Sequence, residues 1–207
     1  MFTYGLVEAD YSMRLRAVPG HSDGPIYMLT LTSFRMGGGQ ILGRSSSQDP
    51  DSRYIPLELL SSVGASLCLV ADVVAGPGEW DRVGVIRYPS RSRFLELADS
   101  PEWKDWCARK ERRVRRAIMV GMVPAADLPG DDLSQRTLVE VWHGPAPARI
   151  ASGHVTEFSI EGTYVSDGRQ WSGARFTPLG HGAALPLQPP RFGYQAMLVE
   201  PIIERWS

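Results

Sequence analysis

The sequence predicts an α+β fold: a strand–helix–strand–strand–helix–strand unit, followed by a β-rich second half. Three observations predict it. Short runs of β-branched and aromatic residues, such as Ile26 to Phe34 (IYMLTLTSF), read as strands. Two stretches between such runs place apolar residues at helical spacing. From Thr137 onward strand signals persist and helical periodicity disappears.

The elements follow in order. Residues 1–24 form an N-terminal extension, in which 4–18 alternate loosely as an extra strand or hairpin would. Ile26–Phe34 is the first strand. Gly37-Gly38-Gly39 and the run from Ser45 to Asp51 make a polar loop. Positions 55, 59, 60 and 63 follow helical spacing, with Pro56 in the first turn and Gly64 at the stop. Leu67–Val74, the turn Gly76-Pro77-Gly78 and Arg82–Tyr88 read as a hairpin. Ser90 suits the cap of a helix that runs from Arg91 to about Val114, with a break at Ser100-Pro101. Ala117–Val123 is a short buried strand. This order over residues 25–125 is the ferredoxin-like βαββαβ arrangement.

Residues 126–136 read as a linker. In residues 137–207, Thr137–Trp142 is a strand, Val155–Tyr164 and Trp171–Pro178 flank the turn Ser166-Asp167-Gly168, and Tyr194–Ile203 is a final strand. The two halves can be laid over one another, strand on strand and hairpin on hairpin. That overlay makes the second half a degenerate repeat completing an α/β barrel, within one chain or across a homodimer. The alternative is an antiparallel appendage on the first sheet.

Composition narrows the function classes. The chain has 207 residues, 43% apolar and 22% charged, and a net charge of −1. A near-neutral charge predicts no nucleic-acid partner. No apolar run reaches membrane-spanning length, so no membrane partner is expected. Glu8 and Asp10 interrupt the place of a signal peptide, and Cys68 and Cys107 read as buried thiols, so the expected location is cytoplasmic. Asn is absent. The chain has no phosphate-loop, Rossmann or nucleophile-elbow motif and no local His pair, so neither cofactor nor metal is expected. The run Arg109 to Arg116 reads as a basic helix end.

Residues 25–36 (PIYMLTLTSFRM), 80–94 (WDRVGVIRYPSRSRF) and 95–103 (LELADSPEW) resemble small uncharacterised proteins of the dimeric α/β barrel superfamily. The resemblance covers about residues 25–123. It rests on a Met-Leu first strand, an Arg-Tyr-Pro-Ser step into a helix and a Ser-Pro-Glu-aromatic step within it. It implies a homodimer. Fold relatives include cofactor-free monooxygenases, cyclases and isomerases, and also proteins without known activity. The first strand of that family commonly carries Asn after Met-Leu, where this chain has Thr30.

Four residues are candidate proton carriers. His143 follows a strand at a Gly-Pro turn, and His154 precedes the next strand; imidazole titrates near neutral pH. Asp72 and Glu140 lie on apolar strands, where burial would raise a carboxyl pKa. Arg35 and Arg87, near strand ends, are candidates to clamp an anionic substrate. Tyr27 and Trp142 are candidates to shape an apolar pocket. The leading expectation is a cofactor-independent isomerase, cyclase or monooxygenase acting on a small hydrophobic carbonyl compound. The alternatives are a non-catalytic small-molecule-binding protein and a protein-interaction module.

Overall fold

A computed structural model describes residues 6–35, 56–125, 135–149, 155–179 and 193–202. The strands are β1 (Leu6–Val7), β2 (Ile26–Phe34), β3 (Ser66–Ala75), β4 (Arg82–Tyr88), β5 (Val114–Pro124), β6 (Thr137–Trp142), β7 (Thr156–Ser166), β8 (Gly173–Pro178) and β9 (Tyr194–Pro201). The helices are α1 (Ala9–Arg16), α2 (Leu57–Ser62), α3 (Arg91–Asp99) and α4 (Pro101–Glu111). Residues 126–134 of the predicted linker, the polar runs at 37–39 and 45–51, position 55 of the predicted helix and residues 180–192 lie outside the described residues.

The architecture corrects the expected fold class. Strands run in the order β1-β7-β5-β2-β4-β3-β9-β6-β8, and β7 also pairs with β8. Every pairing is antiparallel. Eight strands therefore close into one antiparallel β-barrel, with few helices. It is not an α+β ferredoxin-like sheet, nor a dimeric α/β barrel: closure takes one chain. The physical reason lies at the sheet edges. A four-stranded sheet would leave β5 and β3 with unpaired backbone groups, a liability that barrels remove. Here β7 pairs with β5 and β9 pairs with β3, so strands of the second half satisfy both edges. Within the barrel each half keeps one order, β5-β2-β4-β3 and β9-β6-β8-β7.

Alternation along the strands fills the lumen. Tyr27, Leu29 and Leu31 of β2, Val83 and Val85 of β4, and Val139 and Val141 of β6 join one apolar core. An eight-stranded barrel is just wide enough for side chains to fill it. The outer faces of β2 and β4 pack under α1, α3 and α4 through Met28, Tyr88, Phe94 and Trp103. Helix breaks follow the caps. Ser90 Oγ accepts from Arg93 N at 3.2 Å, and Ser100 Oγ accepts from Trp103 N at 3.2 Å, dividing α3 from α4.

Residues 9–16 are helical, against the expected strand. Tyr11 and Leu15, one helical turn apart, are both buried against the barrel. The reason is a notch in the sheet. Gly121 and Gly162 face each other across β5 and β7. A Cβ on Gly162 would stand 2.2 Å from a ring carbon of Tyr11, and one on Gly121 would stand 1.9 Å from its hydroxyl. Tyr11 plugs the notch, and burial pushes its phenol pKa up. Arg91 adds a clasp, with Nε donating to Glu161 at 3.0 Å. The helix that was expected to reach Val114 ends at Glu111, because Val114 is buried as the first residue of β5.

Gly162→Ala should lower stability by about 1–3 kcal/mol, because the ring of Tyr11 must leave its notch. Chemical unfolding checks this; an unchanged midpoint would show that Tyr11 does not depend on the notch.

Candidate functional site

One mouth of the barrel is polar. The antiparallel order brings to it the ends of β2, β3, β6 and β7 and the starts of β4, β5, β8 and β9. Four segments build the site: the β3–β4 turn with Glu79 and Trp80, Arg116 on β5, the β7–β8 turn with Asp167, Arg169 and Trp171, and Gln195 on β9. Trp80, Trp171 and Gln195 are buried. The turn is local in origin: Gly168 takes φ +89°, and its N–H donates to Ser166 Oγ at 2.9 Å.

The groups are joined in a chain of hydrogen bonds. Trp80 Nε1 donates to Gln195 Oε1 at 2.6 Å, and Gln195 Nε2 donates to Glu79 at 2.9 Å. Arg169 Nη1 donates to the same Glu79 oxygen at 2.7 Å, and its Nε and Nη2 donate to Asp167 Oδ2 at 3.0 and 2.6 Å. The Arg169 guanidinium lies 5.3 Å from the Trp80 ring centre and 5.4 Å from that of Trp171. Arg116 lies 4.8 Å from the Trp80 ring centre. Its ion pairs are looser, 3.6 Å to Glu79 and 3.9 Å to Asp167.

Two donors in this layer are left over. Trp171 Nε1 and Arg116 Nε are buried and have no hydrogen-bond partner. Leaving a buried donor unpaired costs about 1–3 kcal/mol, so each is informative.

Two of the charged groups, Glu79 and Arg169, are each stabilised in their charged form. Burial pushes the Glu79 carboxyl up, but hydrogen bonds from Arg169 and Gln195 and the charges of Arg169 and Arg116 outweigh it, so its pKa falls below the usual range. Burial disfavours charged Arg169, yet its bonds to Asp167 and Glu79 win and raise its pKa. Neither group is a proton carrier near pH 7. Among the described residues no group of three metal-ligating side chains stands together.

A second polar network lies on the outer wall of the second half. Glu140 and Arg175 are register partners on β6 and β8, with side chains 1% and 3% exposed. Arg175 Nη1 donates to Glu140 at 3.3 Å, Nε donates to Glu157 at 2.9 Å and Nη2 donates to Pro147 O at 3.0 Å. Tyr194 Oη donates to Glu140 at 2.7 Å. The Trp142 ring lies under the guanidinium at 5.1 Å and fills the space above Gly173, where a Cβ would stand 2.4 Å from it.

The predicted residues fall in several places. Glu140 and Trp142 meet through Arg175, on the outside of the barrel. Asp72 also faces outward, tied to Arg82 Nε at 2.8 Å. Tyr27 is inside, 5.2 Å from the Phe158 ring, and Arg87 is half-buried as its register partner, at the mouth opposite the polar one. Arg35 is exposed at the end of β2, where its Nε donates to Val114 O at 3.1 Å. His143 is exposed after β6. His154 lies outside the described residues. Glu79, Asp167, Arg169 and Gln195 were not singled out from sequence. Trp80 and Trp171 were read only as aromatics on or beside strands, and no local motif marks the polar residues around them.

No family model matches the chain, and no curated protein matches it. Two crystal structures are similar in part: methylated RPA0582, and RPA0582 as a protein of unknown function from Rhodopseudomonas palustris. Both are 19% identical; they match 61% and 59% of this chain and 100% and 98% of their own, with TM-scores of 0.46 and 0.43. Likeness at this level assigns no function. Among the described residues no helix is long and apolar enough to cross a membrane.

Glu79 has its pKa lowered on folding, so its ionised form adds stability above its unfolded pKa of about 4.3, lost as pH falls through the lower folded value. Glu79→Gln should flatten that acid limb in urea midpoints measured against pH. Arg175→Met strands Glu140 and should cost about 3 kcal/mol in the same assay.

Proposed function

We propose that this protein is a non-catalytic small-molecule-binding protein whose site is the polar mouth of the barrel. The observation that carries the reading is a pair of buried donors without a hydrogen bond, Trp171 Nε1 and Arg116 Nε, the latter 3.9 Å from Asp167, in one layer with two indole rings. A ligand oxygen would meet the need those donors leave. Enzymatic chemistry is less well supported. Glu79 is held ionised, Asp72 is tied to Arg82, and Glu140 is sealed against Arg175. His143 is exposed after β6, with no carboxylate hydrogen-bonded to it among the described residues. The lumen below the mouth is packed with apolar side chains, so the ligand sits in the mouth and not in the barrel. We place the protein in the cytoplasm, where thiols such as Cys68 and Cys107, which form no disulfide, stay reduced.

Native mass spectrometry of protein purified from its own host tests the reading, with tryptophan fluorescence as a second readout. A retained small molecule is expected, and Trp171→Phe and Arg116→Met should each reduce its retention about tenfold or more. The reading fails if the wild-type protein retains nothing and no compound in a panel of small acids, ketones and alcohols alters its fluorescence.

A further inference from the structure

We infer that the mouth selects ligands bearing an anionic, acceptor-only head group, with a carboxylate as the best match. This inference rests on the binding reading above and adds the ligand class to it.

Each acceptor residue of the mouth already takes hydrogen bonds, Glu79 through one of its two oxygens. Glu79 accepts from Arg169 and Gln195, Asp167 accepts from Arg169, and Gln195 Oε1 accepts from Trp80. The Gln195 amide therefore serves a donor on one side and an acceptor on the other. What remains is Trp171 Nε1 and Arg116 Nε, both N–H donors. An alcohol offers lone pairs without the charge, and an amine brings a cation beside Arg116 and Arg169. A carboxylate brings lone pairs only.

Charge points the same way. Arg169 is committed to its acids at 2.6 and 2.7 Å, whereas Arg116 stands 3.6 and 3.9 Å from the same two. Arg116 thus keeps capacity for a third anion. Around the mouth, Arg35, Arg112, Arg113 and Arg115 are exposed on the ends of β2 and β5 and the turn before β5. Arg35 and Arg113 are joined there, the backbone N–H of Arg35 donating to Arg113 O at 2.9 Å. This ledge raises the local concentration of anions near a chain of overall charge −1. The apolar body of the ligand must lie outward along the ledge, because the barrel below is full.

Isothermal titration of the full chain with benzoate, benzyl alcohol and benzylamine separates the possibilities. Benzoate should bind at least tenfold more tightly than benzyl alcohol, and benzylamine should not bind. Added salt should weaken benzoate binding, and the Arg35→Gln, Arg112→Gln double variant should reduce that salt dependence. Trp171→Phe should lower benzoate affinity about tenfold with little change in unfolding midpoint. Equal binding of the alcohol or amine would overturn the head-group inference and leave the binding reading standing. Failure of all three probes, together with an empty wild-type protein from its host, would overturn both.

Discussion

Everything in this molecule depends on β7, which hydrogen-bonds to β5 on one side and to β8 on the other. Without that double pairing the sheet has two open edges and the lumen residues face water. With it, backbone groups on both sides are satisfied and the apolar faces of eight strands converge on one core. Bending the sheet that far needs local relief. Register shifts interrupt the β5–β7 ladder at Met119/Val120 and Gly121/Met122, and two facing glycines remove side chains at the bend. The notch they leave is where Tyr11 docks, so the N-terminal helix is held by the same device that curves the barrel.

Closure also creates the candidate site. Glu79 and Gln195 are 116 residues apart, and Glu79 and Arg169 are 90 apart. They meet because two hairpin turns and the starts of β5 and β9 share one rim. The resulting cluster is polar at the end of an apolar barrel, with two acids, two arginines and two indoles. Both acids accept hydrogen bonds from Arg169, and Arg116 stands at longer range from each. The outer-wall cluster of Glu140, Arg175 and Glu157 has every charge answered by a partner within the chain, and it ties the segment at Pro147 to the barrel. It reads as architecture.

Much of the secondary structure was legible. β6 runs from Thr137 to Trp142 as its residues predict, the hairpins stand where Gly-Pro-Gly and Ser-Asp-Gly turns place them, and Ser90 and Ser100 cap the two helices. These signals are local: turn residues, caps and alternation act within a few positions. The helix at Ala9–Arg16 was missed because its only strong contacts, Tyr11 and Leu15 against the barrel, are tertiary. The candidate residues fared by the same rule. Alternation does not say whether Glu140 and Asp72 face a lumen or the outside until the curvature of the sheet is known.

The sequence by itself determined the strands, the caps, the turns and the near-neutral charge, because each follows from side-chain chemistry over short spans. Only the tertiary structure decided that the halves share one closed barrel, that Gly121 and Gly162 receive Tyr11, and that Glu79, Asp167, Arg116 and Arg169 form one rim. Those outcomes rest on pairings between strands distant in the chain. Such a pairing leaves no mark in either strand alone, since β5 carries the same pattern whether its edge meets water or β7.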